Sequence, residues 1–307
     1  MGEVIEFWSS GPPPLRPGRA VLIGFCQDEG LSRNHGRPGA AEAPREIRNW
    51  LHRLTPWDAE THADLAALRP LDVGNVSLAG GMEASQEALA EVVDSVLRHG
   101  AVPIVLGGGH ETAYGHYLGY VHSRRRVGIV NIDAHLDVRP CIDGKGHCGS
   151  PFRQALEHTT APLPGPNYVC LGAQPHSVSR QHWQYAQERG CVVRWASEVA
   201  GTLASHCTSE CERLLKSGCQ VHVSIDADAV QLADVPAVSS PNPTGLAGRE
   251  VVALARQAGR LPQVASLDLV EINPKLDRDG QSARWAALTV WNFLIGLALR
   301  TNAAGRA

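Results

Sequence analysis

Short apolar runs alternate with amphipathic segments along most of the chain. The apolar runs are rich in Val, Ile and Leu without strict alternation, which is typical of strands buried on both faces of a sheet. They predict strands at 20–25, 102–106, 127–133, 168–172, 191–195, 221–226 and 264–270.

The segments between these runs repeat their apolar residues at helical spacing. They predict helices through Ile47 and Trp50 and at 83–99, 181–189, 203–216, 248–258 and 283–300. Strands that alternate with helices form βαβ units, so the pattern predicts an α/β fold with a mostly parallel sheet between helices.

The organisation of the chain indicates a single domain over residues 1–307, since no internal repeat or linker divides it. The stretch GPPPLRPG at 11–18 contains too much proline for a helix or a central strand. We therefore expect residues 1–18 to form an N-terminal arm.

Composition and charge exclude several classes of protein. The formal net charge is −3, and the one basic cluster, Ser-Arg-Arg-Arg at 123–126, predicts a solvated turn and no nucleic-acid partner. No apolar run reaches the roughly 18 residues of a membrane span, and the start MGEVIEFWSS lacks the apolar core of a signal peptide. The eight cysteines form no CxxC pair. We expect a cytoplasmic protein with reduced thiols and no membrane contact.

Polar side chains follow four of the predicted strands directly. The sequences at these strand ends are GGGHE (107–111), NIDAHLD (131–137), SIDAD (224–228) and EINP (271–274). Ligands bind beyond the carboxyl ends of strands in such sheets. The candidate metal ligands at this edge are His110, Asp133, His135, Asp137, Asp226 and Asp228.

Four carboxylates and two imidazoles cannot be packed together as bare charges, because like charges at short distance repel each other. Two divalent cations with bridging carboxylates would resolve the repulsion. Mixed nitrogen and oxygen ligands suit Mn²⁺, and also Fe²⁺, Co²⁺, Ni²⁺ or Zn²⁺, whereas the absence of cysteine argues against structural zinc. A two-metal site activates water at neutral pH, which predicts a hydrolase. The three glycines are expected to bring the backbone close to the metals. The competing interpretation is a set of solvated polar residues at strand ends.

Taken as a set, these motifs resemble the ureohydrolase family, which includes arginase, agmatinase and formimidoylglutamase. The resemblance rests on GGGHE, NIDAHLD, GHCGSPF (146–152), SIDAD and DLVEINP (268–274), and it extends from residue 36 to the last predicted helix. It implies a three-layer α/β/α fold with an eight-stranded parallel sheet, a homo-oligomer, and two Mn²⁺ ions bound by the six ligand candidates, with Asp133 bridging.

The resemblance also implies roles for three residues of this chain. The family hydrolyses an amidine or guanidine with a metal-activated hydroxide, and Asp137 is placed to take its proton. Glu271 matches the acid that pairs with the amidinium group. His147 matches a mobile histidine that delivers a proton to the leaving amine, although a surface-loop histidine is the plainer interpretation.

Within the family, the chain is most similar to the formimidoylglutamases of histidine degradation. The similarity lies in RNHGRPGAAEAPREIR (33–48), in HCGSPFRQ (147–154) and in Arg139. A guanidinium binds a carboxylate in bidentate fashion, so Arg139 suits a substrate with a carboxylate. Arg153 and Arg37 are weaker candidates, and a structural salt bridge is the alternative role for Arg139. The expected reaction is hydrolysis of N-formimidoyl-L-glutamate to L-glutamate and formamide.

Three other functions remain open from the sequence. A guanidino-acid hydrolase, such as guanidinobutyrase or an arginase or agmatinase-like enzyme, would release urea. A non-catalytic family member would bind metal only, and a related metal-dependent deacetylase would use one zinc and fewer acids. The chain departs from the family in AVQLADVP at 229–236, in Ala227 and in Cys148. These departures bear on the substrate, because the 229–236 loop lines the entrance.

Overall fold

The computed structural model describes residues 1–78 and 80–304, with side chains described up to residue 300. The strands of the described part are β1 Glu6–Phe7, β2 Ala20–Gly24, β3 Trp57–Asp58, β4 Ala63–Asp64, β5 Leu71–Asn75, β6 Val102–Leu106, β7 Val127–Ile132, β8 Tyr168–Ala173, β9 Val192–Trp195, β10 Gln220–Asp226 and β11 Val264–Val270. Its helices are α1 Glu29–Arg33, α2 Ala43–Leu51, α3 Met82–Arg98, α4 Thr112–His122, α5 Pro151–Leu156, α6 Arg180–Arg189, α7 Ala196–Val199, α8 Leu203–Lys216, α9 Gly248–Arg260 and α10 Gln281–Ala304.

One parallel sheet forms the centre of the molecule. Its strand order is β1-β5-β2-β6-β11-β10-β7-β8-β9, and every neighbouring pair is parallel. The expected parallel sheet between helices is thus confirmed. Nine strands are found in the described residues where eight were expected, because the two-residue strand β1 of the N-terminal arm adds to the edge beside β5.

Two hydrophobic cores cover the two faces of the sheet. Side chains alternate along each strand, so Leu22 enters one core and its neighbours Val21 and Ile23 enter the other. Helices α2, α8, α9 and α10 cover the first face, and α3, α4, α5 and α6 cover the second. Both faces are therefore sealed, and the strand ends remain as the place where polar groups can meet a ligand.

Helix α10 is largely apolar, and the exposed residues of its first half are Gln281, Arg284 and Leu288. An apolar window within Gln281–Arg300 is long enough to cross a membrane by length and composition, with a mean hydropathy of 1.2. However, 83% of that window is buried inside the protein, where α10 packs against α9 and α2. This burial identifies α10, which the sequence predicted as a helix at 283–300, as a core helix of the fold.

Candidate metal centre

Four adjacent strands, in the order β6, β11, β10 and β7, end at the candidate site. Their parallel direction brings their carboxyl ends to one edge, as expected from the sequence. The loop after each strand supplies polar side chains to that edge: His110 after β6, Glu271 after β11, Asp226 and Asp228 at the end of β10, and Asp133, His135 and Asp137 after β7.

The first group of ligand candidates surrounds the Nδ1 atom of His110. This atom lies 2.9 Å from Asp137 Oδ2, 2.9 Å from Asp226 Oδ2 and 3.4 Å from Asp133 Oδ2. The four donor atoms lie within 4.8 Å of one another, so one cation could contact all of them.

The second group shares one residue with the first. His135 Nδ1 lies 3.1 Å from Asp228 Oδ2 and 3.5 Å from Asp133 Oδ1. Asp133 therefore directs one carboxylate oxygen to each group, which is the arrangement expected of a bridging ligand. The structure thus brings all six ligand candidates together, in two groups joined by Asp133.

Two bound divalent cations would satisfy the donor atoms of the two groups better than their contacts with one another do. His110 Nδ1 and Asp228 Oδ1 are buried, and neither has a hydrogen-bond partner among the described residues. A buried polar atom without a partner costs free energy, and a bound cation would remove that cost. The donors are imidazole nitrogens and carboxylate oxygens, which suit Mn²⁺ and its neighbours among the transition metals.

The pKa values of the site residues also indicate a site suited to cations. Burial, and then the nearby charges of Asp228 and Asp133, raises the pKa of Asp226 well above its usual range. Burial and the charge of Asp226 likewise raise the pKa of Glu271. Burial lowers the pKa of His110, but its three carboxylate neighbours outweigh burial and raise it well above the usual range. Without metal, this site therefore holds extra protons.

Two carboxylate residues of the site have left-handed backbone conformations. The φ angle is 47° at Asp137 and 69° at Glu271. Such angles are uncommon outside glycine, and they persist where the surrounding structure imposes them. At Glu271, the backbone N–H donates to Gly108 O at 2.8 Å, and the carboxylate accepts from His110 N at 2.8 Å. These bonds fix the acid against the GGGHE loop.

The three glycines before His110 are explained by packing against protein groups. A Cβ atom at Gly108 would lie 1.8 Å from the carbonyl oxygen of Gln27, and one at Gly109 would lie 2.1 Å from Glu111 Oε2. Gly108 thus lets the loop before α4 pass directly against the loop that follows β2. The expectation that these glycines also bring the backbone close to bound metals stays a prediction.

A cavity of about 250 Å³ opens onto the ligand groups. We call the lining residues at the strand ends its floor, and these are His135, Asp137, Asp226, Asp228 and Glu271. We call the remaining lining residues its wall, and these include Asn34, His35, Arg139, Cys148, Ser239 and Ser240. By this division the acids belong to the floor, and the guanidinium of Arg139 belongs to the wall.

Arg139 is held in the wall by a neutral partner. Its Nη1 donates to Asn34 Oδ1 at 3.1 Å, and its backbone N–H donates to Gly149 O at 2.9 Å. Arg139 is half-buried, and no carboxylate in the described part of the chain forms an ion pair with it. The structural salt bridge considered from the sequence is therefore absent from the described residues. Asn34 was not singled out from the sequence, although it stands in the Gly/Pro-rich stretch RNHGRPGAA.

Arg37 and Arg153 lie outside this wall. Arg37 donates to the carbonyl oxygens of Val238 and of Ser239, so it ties two loops together. Arg153 lies over the ring of Tyr185 at 4.2 Å and pairs with Glu157, the residue that follows α5. Among the described residues that line the cavity, Arg139 is the one arginine of the three candidates.

His147 is buried beside the cavity and is held by backbone atoms. Its Nε2 lies 3.1 Å from Pro140 O, and its Nδ1 accepts a hydrogen bond from Gly149 N at 3.1 Å. Burial lowers the pKa of this imidazole, which favours the neutral ring with the proton on Nε2. The plainer interpretation, a surface-loop histidine, is wrong, since the ring is 1% exposed. A shuttle role would require the ring to leave both backbone contacts.

Known proteins resemble this chain over nearly its full length. The sequence matches the arginase family over residues 18–296. It is 36% identical over 300 residues to a formimidoylglutamase of Chromobacterium violaceum, covering 95% of this chain and 93% of that protein. It is 35% identical over 288 residues to a formimidoylglutamase of a Geobacillus species, covering 92% and 85%.

Solved structures agree with these sequence matches. The formiminoglutamase of Trypanosoma cruzi, solved with Mn²⁺, is 33% identical and covers 92% of this chain and 94% of that one, with a TM-score of 0.84. The proclavaminate amidino hydrolase of Streptomyces clavuligerus is 26% identical and covers 96% of each chain, with a TM-score of 0.80. The sequence match and the shared fold together show that this chain belongs to the arginase family.

Proposed function

We propose that this chain is a manganese-dependent hydrolase that cleaves the amidine C–N bond of N-formimidoyl-L-glutamate and releases L-glutamate and formamide. The observation that carries the proposal is the direction of charge in the cavity, with acids on the floor and Arg139 on the wall. The names of the similar proteins, formimidoylglutamase and formiminoglutamase, support the same substrate.

The substrate has the opposite direction of charge. Its amidinium group is cationic at neutral pH and fits the acidic floor, where the carboxyl group of Glu271 lines the cavity. Its carboxylates fit the guanidinium of Arg139, which can offer two parallel N–H donors to one carboxylate. A substrate with an ammonium group at its far end, such as agmatine, would place a cation against Arg139.

The two ligand groups would hold the metal ions of the proposed reaction. His110, Asp133, Asp137 and Asp226 would hold one cation, and Asp133, His135 and Asp228 would hold the other. Two such cations lower the pKa of a water molecule and so supply a nucleophile at neutral pH.

The protein side chains orient the substrate and move protons. Asp137 lines the cavity and offers a carboxylate that can take a proton from the attacking water. Pairing of Glu271 with the amidinium group would favour the ionised carboxylate and hold the amidine carbon over the floor. Arg139 would fix the other end of the substrate.

A guanidino acid would satisfy the same charge pattern, and its hydrolysis would release urea. The decisive experiment compares products from purified protein loaded with Mn²⁺. N-formimidoyl-L-glutamate, 4-guanidinobutyrate, L-arginine and agmatine are each supplied, and formamide and urea are measured. We expect formamide from the first and no urea from the others. Urea from a guanidino acid, without turnover of N-formimidoyl-L-glutamate, would refute the proposal. No activity with or without added Mn²⁺ would favour a non-catalytic family member.

A further inference from the structure

A second polar cluster lies buried directly behind the first ligand group. Asp268 on β11 accepts hydrogen bonds from three side chains: Ser224 Oγ at 2.5 Å, His222 Nε2 at 2.6 Å and His116 Nδ1 at 2.9 Å. Ser224 also lies 3.0 Å from Nε2 of the ligand candidate His110. All four members of the cluster are 0% exposed. None of them lines the cavity among the described residues, so none can touch a substrate there.

The direction of the hydrogen bonds follows from the carboxylate. An ionised carboxylate only accepts, so the hydroxyl of Ser224 donates its proton to Asp268. The oxygen of Ser224 then accepts, and the group that faces it, Nε2 of His110, carries a proton. With a cation bound the ring would be neutral, and its other nitrogen, Nδ1, would present a lone pair at the position between Asp137 and Asp226. This nitrogen is the atom that a cation would need.

The two histidines of the cluster stabilise Asp268 without adding positive charge. His116 Nε2 and His222 Nδ1 are buried and have no hydrogen-bond partner among the described residues. Protonation would turn these atoms into unpaired donors, and the two ring centroids are only 3.9 Å apart. Burial lowers the pKa of His116, and repulsion from any proton placed on His222 would contribute to the same shift, to about 4, which agrees with a neutral ring at His116.

Neutral donors leave the negative charge of Asp268 in place beneath the ligand group. A lysine or arginine at either position would also have stabilised Asp268, but its charge would oppose a cation bound at His110. The cluster therefore combines two effects that favour cation binding: it orients the imidazole and it adds negative potential behind it.

We propose that Asp268 is a positioning residue that acts through Ser224 on His110 and strengthens binding of the cation held by the first ligand group. This inference concerns metal binding and holds for any substrate. A negative result in its test would therefore leave the proposed substrate standing, and a negative result in the product assay would leave this inference standing. Loss of such an outer partner lowers metal affinity by about 10- to 100-fold in known sites.

The test uses Ser224→Ala, Asp268→Asn and the matched control Tyr120→Phe. Tyr120 is equally buried and stacks near both histidines, but its hydroxyl pairs with Ser266 and not with this chain of bonds. Binding of Mn²⁺ to each metal-free protein is measured by calorimetry. We expect two equivalents in every protein, with one of them weakened about 10- to 100-fold in Ser224→Ala and Asp268→Asn and unchanged in Tyr120→Phe.

A spectroscopic measurement separates positioning from a general loss of stability. In protein labelled with ¹⁵N-histidine and loaded with diamagnetic Zn²⁺, the Nε2–H proton of His110 should resonate downfield and exchange slowly. It should move upfield and exchange faster in Ser224→Ala, and stay in place in Tyr120→Phe. If Asp268→Asn does not fold, Ser224→Ala decides alone. Unchanged affinity and an unchanged Nε2–H signal in Ser224→Ala would overturn the proposal. So would a third Mn²⁺ equivalent that Asp268→Asn abolishes, since the cluster would then be a metal site itself.

Discussion

Replacement of Arg139 by alanine tests the proposed orientation of the substrate most directly. The structure shows a half-buried guanidinium in the cavity wall, held by Asn34 and unpaired with any carboxylate of the described residues. A hydrogen bond to a charged group contributes about 1.5–3 kcal/mol. Because this site is open to solvent on one side, we take the lower part of that range to apply. At about 1.4 kcal/mol per factor of ten, the expected rise in KM is roughly 10- to 30-fold.

The assay follows formamide release from N-formimidoyl-L-glutamate over a range of concentrations, with metal content measured in the same samples. We expect a higher KM, a smaller change in kcat, and two metal equivalents as in the unaltered protein. Arg153→Ala is the matched control, since that arginine pairs with Glu157 and stacks on Tyr185 away from the cavity wall. Arg139→Lys should give an intermediate KM, because a lysine keeps the charge but loses the bidentate geometry.

Two outcomes would refute the reasoning about Arg139. One is an unaltered KM for N-formimidoyl-L-glutamate. The other is an equal rise in KM for a simple amidine without a carboxylate, since Arg139 would then act on the shape of the cavity and not on substrate charge.

Three further predictions follow from the site. Asp133→Asn should lose metal and activity together, because this residue serves both ligand groups, while its far-UV circular dichroism stays near native; retained metal would contradict a bridging role. Gly149→Ala should raise KM without loss of metal, because the added Cβ would lie 2.9 Å from Arg139 Cδ and displace the guanidinium; an unchanged KM would show that the arginine adapts. The metal-free protein should be less stable at pH 8 than at pH 6: carboxyls and histidines with raised pKa values bind more protons folded than unfolded, so the free energy of unfolding falls as pH rises through those values. Urea midpoints at the two pH values, with chelator and with excess Mn²⁺, check this sign, and Mn²⁺ should raise the midpoint at pH 8.

Two strands and one helix begin and end as predicted: β6 at Val102–Leu106, β11 at Val264–Val270 and α8 at Leu203–Lys216. Each has a clear pattern of apolar residues, and a glycine or polar residue follows its last position. Strand β5, Leu71–Asn75, was not predicted, since its sequence LDVGN shows no clear pattern. A salt bridge from Arg48 in α2 to Asp72, with Nε–Oδ2 at 2.7 Å, compensates for a charge that the sequence alone would place in a loop.

Helix α4 was also not predicted from the sequence. It contains Gly115, Gly119 and the buried His116, which interrupt an apolar stripe and lower helix propensity. The glycines are explained by a close approach of α3, since a Cβ atom at Gly119 would lie 2.4 Å from Val93 Cγ1. Tertiary packing therefore stabilises a helix whose local sequence is a poor helix former.

In the site, too, residues marked by the local sequence were predicted, and contacts between residues far apart in the chain were not. The ligand candidates could be found because each follows a recognisable strand and parallel strands share one edge. The contact between Asn34 and Arg139 joins residues 105 positions apart, and it depends on the conformations of two loops. Nothing periodic in the sequence marks such a contact. The residues of the cavity wall were therefore less predictable than the ligand candidates.

The position of β11 has a consequence for biosynthesis. This strand is the last of the sheet in the chain, yet it lies between β6 and β10 at the centre. Until residue 270 has left the ribosome, β6 and β10 each present an open edge, which is a hazard for aggregation. His110 stands on one side of this gap, and the five aspartate and histidine ligands after β7 and β10 stand on the other. Insertion of β11 therefore closes the sheet and brings His110 to the three aspartates of the first ligand group in one step, so that group is complete only when the sheet is complete.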